Sequence, residues 1–175
     1  MFNGIDATIF YLFNKNCANH FMDIIMPILS EIGSGEGIFV LSFLPLLLAK
    51  GDKKKSAILL WAGLTVAYYI TYFLKDSVSR PRPFLQLPDV RLLINEKSFS
   101  FPSSHATQSF MAATIASRCF RGGVLFFMLA MLVAISRMYL GVHYFSDVLA
   151  GAVLGTAIGY CLIYISNQSN NNEKI

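Results

Sequence analysis

FSDVLAGAVLGTAIGYCLIYI, residues 145–165, carries one residue charged at neutral pH, Asp147, in twenty-one positions. A helix needs about 20 mostly apolar residues to cross a bilayer, so this stretch reads as a membrane span with its one charge at the start. Gly151, Gly155 and Gly159 recur every four residues and fall on one helix face. Small residues at that spacing let a second helix approach closely. The spacing suits a partner helix of the same chain and a second copy equally, so it leaves the oligomeric state open.

Working outward from this run, residues 122–140, 106–117 and 56–74 are further apolar segments at or near spanning length. The N-terminal third is more broken. Residues 21–32 contain Asp23, Pro27 and Glu31, residues 37–49 contain Pro45, and Gly33-Ser34-Gly35 between them is a turn signal. These two read as short or tilted helices forming a hairpin, and residues 5–13 as an N-terminal helix lying in the interface. The expected fold is all-α: a polytopic membrane bundle of about six transmembrane helices, one domain over residues 1–175, with both termini on the same side. No internal repeat breaks the chain, and the tail from Asn167 to Asn172 reads as a frayed end.

Composition agrees with a lipid environment. The chain is 55% hydrophobic, only 14% charged, with mean hydropathy +0.55, against roughly 25% charged residues in soluble domains. The net charge of +4 does not point to nucleic acid, because the basic residues sit in connections between apolar runs. Cys17, Cys119 and Cys161 have no metal-site spacing and read as small buried hydrophobes. No basic segment precedes the first apolar run, so no cleavable leader is expected. Lys15, Lys50, Lys53, Lys54, Lys55, Arg118, Arg121 and Lys174 are assigned to one side, eight against six on the other. Setting aside Lys75, Arg82 and Arg137 as chemical residues leaves eight against three. The larger group marks the cytoplasmic side.

Three clusters lie at the edges of these runs: Lys75 with Arg82-Pro83, then Pro102-Ser103-Ser104-His105, then Ser136-Arg137 with His143 and Asp147. Lys75, Arg82 and Arg137 suit the equatorial oxygens of a phosphoryl group, which guanidinium grips bidentately and ammonium meets as a point charge. Each alone also fits an interfacial anchor, although Arg137 lies inside an apolar run where charge is costly. Ser103 reads as the N-cap of a helix whose free N–H groups favour an anion. His143 and Asp147, four apart, can pair so that one ring nitrogen is held and the other stays nucleophilic; an ordinary His–Asp pair has the same spacing. Zinc on two His and one Asp is the rival chemistry, and three neighbouring cations oppose it. Arg91 and Lys97 in the polar connection 76–101 are candidates for contact with lipid head groups.

The pattern K-x6-R-P, P-S-x-H, S-R-x5-H-x3-D resembles the type 2 phosphatidic acid phosphatase superfamily, and the hydrophobic layout is similar to its small bacterial six-helix members. The resemblance implies His143 as nucleophile forming a phosphohistidine, Asp147 orienting it, and His105 as the acid that protonates the leaving group and later activates water. It implies a phosphate site of Lys75, Arg82, Ser103, Arg137 and the backbone N–H of Ser104, with no metal or other cofactor. The chain departs from the family at Ser104, where Gly is usual; a positive φ there would strain serine. Arg80-Pro81 mimics Arg82-Pro83, but only the second has the family spacing from Lys75. The expected activity is hydrolysis of the phosphomonoester or pyrophosphate of a membrane lipid at the extracytoplasmic face of a bacterial inner membrane, with the lipid substrate and the bilayer as partners. The alternative is a non-catalytic lipid-binding or transport protein on the same scaffold.

Overall fold

The computed structural model describes residues 4–48, 51–119 and 122–172. Among them the chain is entirely helical: α1 Gly4–Tyr11, a π-helical turn Leu12–Asn16, α2 His20–Ile32, α3 Gly35–Leu48, α4 Asp52–Val78, the single turn α5 Pro83–Gln86, α6 Ser104–Cys119, α7 Gly123–Tyr139 and α8 Phe145–Asn172. The six segments expected as membrane helices correspond to α2, α3, α4, α6, α7 and α8. Residues 54–86 and 145–169 are each long and apolar enough to cross a membrane, and α2 with α3 makes a third such span if the bent pair counts as one. Apolar side chains face outward all round. Val124, Leu125 and Val153 are more than 60% exposed, which a soluble protein avoids over so large an area.

Helix α6 sits at the centre, packed between α8, α7 and α4. Its seam with α8 follows from the glycine stripe. A Cβ at Gly155 would stand 2.0 Å from the Thr107 carbonyl oxygen, one at Gly151 2.7 Å from that of Ser103, and one at Gly159 2.7 Å from Thr114 Cβ. The stripe thus packs within the chain, and it sets the height of Ser103–His105 against α8. Gly155→Ala forces backbone apart here and is expected to cost about 1–3 kcal/mol, or roughly 5 °C in Tm. Val153→Ala, on the outer face, serves as the control. Thermal unfolding in detergent checks this, and equal shifts in the two variants would contradict it.

The N-terminal region differs from the expected hairpin. Asn19 caps α2 through Met22 N at 3.0 Å, and Ser34 Oγ accepts from Gly37 N at 2.9 Å to start α3, but the two axes meet at a bend of 67°. The pair continues across the bundle instead of folding back. That changes the parity of crossings, so the two ends of the described chain lie at opposite ends of the bundle, not on one side as expected. Helix α1 belongs to the end where α4 finishes and α8 begins: Asp6 accepts from Ser146 N at 2.8 Å, and Tyr11 Oη donates to the Pro88 carbonyl at 2.7 Å. Lys15 lies 3.8 Å from Asp89 and moves to that end too. The charge margin becomes seven against four, in the same direction.

Two smaller expectations also fail. Cys17, in the turn after Asn16, and Cys161, on α8, are exposed; for Cys161 the apolar phase lies outside the helix, so an apolar neighbourhood does not imply burial in protein. The side chain of Cys119 lies outside the described residues. The tail expected to fray is helical as far as Asn172, extending α8 to about 42 Å at 1.5 Å per residue.

Candidate active site

All three sequence clusters meet at one end of the bundle. Lys75 closes α4, Arg82 precedes α5, His105 stands in the first turn of α6, Arg137 in the last turn of α7, and His143 and Asp147 flank the start of α8. The connection from α7 to α8 is tight because Gly141 takes φ 88°, where a Cβ would stand 2.6 Å from the Arg91 carbonyl oxygen. This turn delivers His143 to the site. His143 is not on the helix, as the four-residue spacing suggested, but precedes it. Asp147, at the third position of α8, accepts from Tyr144 N at 2.9 Å and so caps its own helix as the acidic half of a capping box does.

Lys75, Arg82, Arg137, His143 and Asp147 are all buried. Arg82 is locked by the Ser98 carbonyl at 2.6 Å and the Val142 carbonyl at 2.9 Å, and its Nη1 stands 3.4 Å from His143 Nε2. A guanidinium only donates, so Nε2 carries the lone pair and Nδ1 the proton. That proton faces Asp147 Oδ2 at 3.6 Å and Ser100 Oγ at 3.4 Å. Burial, together with the charges of Arg82, Lys75 and Arg137, holds the His143 imidazole well below the usual value of 6.5. It is therefore neutral at neutral pH, with a free lone pair aimed among cations. Lys75 Nζ donates to the Phe99 carbonyl at 2.5 Å, and Arg137 Nη1 to Ser30 Oγ at 2.5 Å. Arg137 Nε is buried with no hydrogen-bond partner among the described residues. His105, Ser104 and Arg137 line one cavity of roughly 1130 Å³, which reaches outward between Phe39 and Val40 of α3 and Thr65 and Tyr68 of α4. Its inner end suits a tetrahedral anion and its outer end an apolar chain.

Ser103 has the expected capping position. Its carbonyl accepts from Thr107 N at 3.0 Å and its hydroxyl from Ala106 N at 3.5 Å. Ser104 is not among the non-glycine residues with positive φ, which are Ser79 and Asp89 within the described chain, so serine there carries no backbone strain. Arg91, a candidate for contact with head groups, is paired within the protein. It is spent on Asp23, at 3.0 Å to both carboxylate oxygens, and on the Asn14 carbonyl.

Sequence reasoning missed four residues at the site. Arg80, dismissed for its spacing, forms an ion pair with Asp147 Oδ1 and another with Asp6 at 2.7 Å, and lies over the Tyr144 ring at 4.2 Å. Ser100 donates to Asp147 Oδ2 at 2.5 Å. Glu96 reaches Arg137 Nη2 at 2.6 Å and Arg82 Nη2 at 3.6 Å. The repeated Arg-Pro at 80–83 was the available signal for Arg80. Nothing in the local pattern marks Asp6, 74 positions away.

An all-helical membrane bundle with a buried cluster of imidazoles, guanidiniums and one ammonium at a helix N-terminus defines a class of phosphate-handling membrane proteins. The PAP2 superfamily profile matches residues 56–171, and the chain belongs to that superfamily. Decaprenylphosphoryl-5-phosphoribose phosphatase of Mycobacterium tuberculosis is 40% identical over 99 residues, covering 56% of this chain and 54% of the relative; the chain thus aligns with about half the length of that relative. The crystal structure of Aquifex aeolicus LpxE superposes with TM-score 0.77 at 26% identity, over 92% of this chain and 96% of the other. A PAP2 type phosphatidylglycerolphosphate phosphatase from Bacillus subtilis shares the fold, with TM-score 0.77 at 22% identity over 95% and 88%.

Proposed function

We propose that this protein hydrolyses the phosphomonoester or pyrophosphate of a membrane lipid through a phosphohistidine on His143. The observation that carries the proposal is the orientation of that ring: Nδ1 toward Asp147 and Nε2 toward Arg82, within reach of a buried cation cluster. Nε2 attacks phosphorus in line with the leaving oxygen. Lys75, Arg82, Arg137 and the backbone N–H of Ser104 hold the equatorial oxygens, with Ser103 fixing the helix start. His105 protonates the departing oxygen, then takes a proton from the water that attacks the phosphohistidine, releasing phosphate and regenerating His143. Every step is carried by side chains and backbone, without a metal. The charge margin supports a site on the extracytoplasmic face, with the C-terminal end of α8 in the cytoplasm.

The substrate is tested by phosphate release from phosphatidylglycerophosphate, lipid A 1-phosphate, undecaprenyl diphosphate, phosphatidic acid and, after the mycobacterial relative, decaprenylphosphoryl-5-phosphoribose. At least one should turn over, at the same rate in EDTA. Silence on all five would contradict the proposal, and loss in EDTA with recovery on adding a divalent ion would replace it with a metal mechanism.

Arg80 enters the proposal as a positioning residue. It fixes one oxygen of Asp147 so that the other faces His143, and Asp6 fixes Arg80. Arg80→Ala should lower kcat on the order of 10²-fold while KM changes little, because substrate does not meet this side chain. A rise in KM with kcat preserved would instead place Arg80 in substrate binding.

A further inference from the structure

Glu96 occupies the place of an anion. Its two oxygens lie toward two guanidiniums, 2.6 Å from Nη2 of Arg137, which lines the cavity, and 3.6 Å from Nη2 of Arg82 behind it. Those two arginine side chains are 1% and 2% exposed, while the Glu96 side chain is 29% exposed. The carboxylate belongs to the irregular connection before α6, and it lines the cavity together with His105, Ser104 and Arg137. Any phosphate that reaches His143 Nε2 through this cavity needs the same donors and must displace it.

We infer that Glu96 is a resident competitor that sets which phosphate groups enter the site: phosphomonoesters and terminal diphosphates displace it, and the phosphodiester head groups of bulk phospholipid do not. This rests on the phosphatase reading of the site. The reasoning is one of charge and donors. A phosphodiester carries one negative charge and two free oxygens, as a carboxylate does, so the exchange gains nothing and loses the covalent tether that keeps Glu96 in place. A monoester carries about −1.5 to −2 at neutral pH and three free oxygens. It adds charge among three buried cations and gives Arg137 Nε, which has no partner, an acceptor. Bulk diester lipid vastly outnumbers any substrate in a bilayer, and a bare cation cluster open to the lipid face would be blocked by it. A like-charged group standing in the way is how an interface rejects the wrong partner.

The test uses the full-length protein purified in neutral detergent and two readouts. Inorganic phosphate binding is measured by titration calorimetry, which needs no turnover. Glu96→Gln should bind phosphate about 10-fold more tightly than the parent. If Glu96 only holds the arginines in place, its loss weakens phosphate binding; unchanged or weaker binding overturns the inference. Turnover is then followed while phosphatidylglycerol is added to the micelles. The parent should respond as it does to dilution with neutral detergent, and the Gln variant should be inhibited several-fold more; equal responses overturn the inference. If the Gln variant does not fold, Glu96→Asp carries the same test. It is one methylene short of spanning both guanidiniums, and tighter phosphate binding is again required. A parent protein inactive on every lipid would sink the phosphatase reading, while calorimetry still decides whether Glu96 competes for the anion site.

Discussion

Replacing His143 with Ala is expected to reduce phosphate release by about 10⁵-fold or more, the scale seen when a nucleophile is removed from a site that acts as a unit. Nothing else near the phosphate can replace it. His105 is committed to the leaving-group side, and the other described groups around the cluster are guanidiniums, an ammonium, serine hydroxyls and two carboxylates engaged with arginine. The variant should fold, because the polar contacts of the His143 side chain are long, 3.4 Å to Arg82 and to Ser100 and 3.6 Å to Asp147. It should also still bind inorganic phosphate through Arg82 and Arg137. Loss of activity with binding kept separates a missing nucleophile from a collapsed site, and full activity would remove His143 from the chemistry.

His105→Ala should cost about 10²–10⁴-fold on a lipid substrate, the range for a general acid or base. Its two roles give the variant a pattern that no structural defect reproduces. With p-nitrophenyl phosphate, whose leaving group departs without a proton, the first step should be nearly restored. The second step still lacks its base, so the phosphorylated enzyme should accumulate and release of nitrophenol should show a burst. Equal losses on lipid and nitrophenyl substrates, without a burst, would contradict the assignment. His105 has the position for both roles, since it lines the cavity and lies within electrostatic reach of Arg137 and His143.

Much of this was legible in the sequence, for identifiable reasons. The glycine stripe at 151, 155 and 159 marks a close helix contact wherever it occurs, and α6 is that contact. Lys75, Arg82, His105, Arg137, His143 and Asp147 stand at the edges of apolar runs, and helix ends sharing one bundle end bring them together without further information. What was not legible depends on the angle between elements. Pro27 and Gly33-Ser34-Gly35 announce a break but not whether it bends by 67° or reverses the chain, and that angle decides at which end Lys15 and Asp6 lie. Spacing from Lys75 singles out Arg82 and says nothing of Arg80. Its partners come from α1 and α8, remote in sequence. Glu96 looked like one acid among several in a polar connection, and only the fold of residues 91–101 over the cluster shows it lying on two arginines. Ser104 is the reverse case, where a departure from the family pattern raised the question of strain and the helical start at that residue removes it.

The most direct test of the central claim is a phosphoenzyme trap. The His105→Ala protein is exposed briefly to ³²P-labelled p-nitrophenyl phosphate, quenched in alkali and digested. The account predicts a label stable in base and labile in acid, close to one per chain, on the peptide carrying His143 and absent when His143 is also replaced. A label on another residue, or none while phosphate release continues, would contradict it.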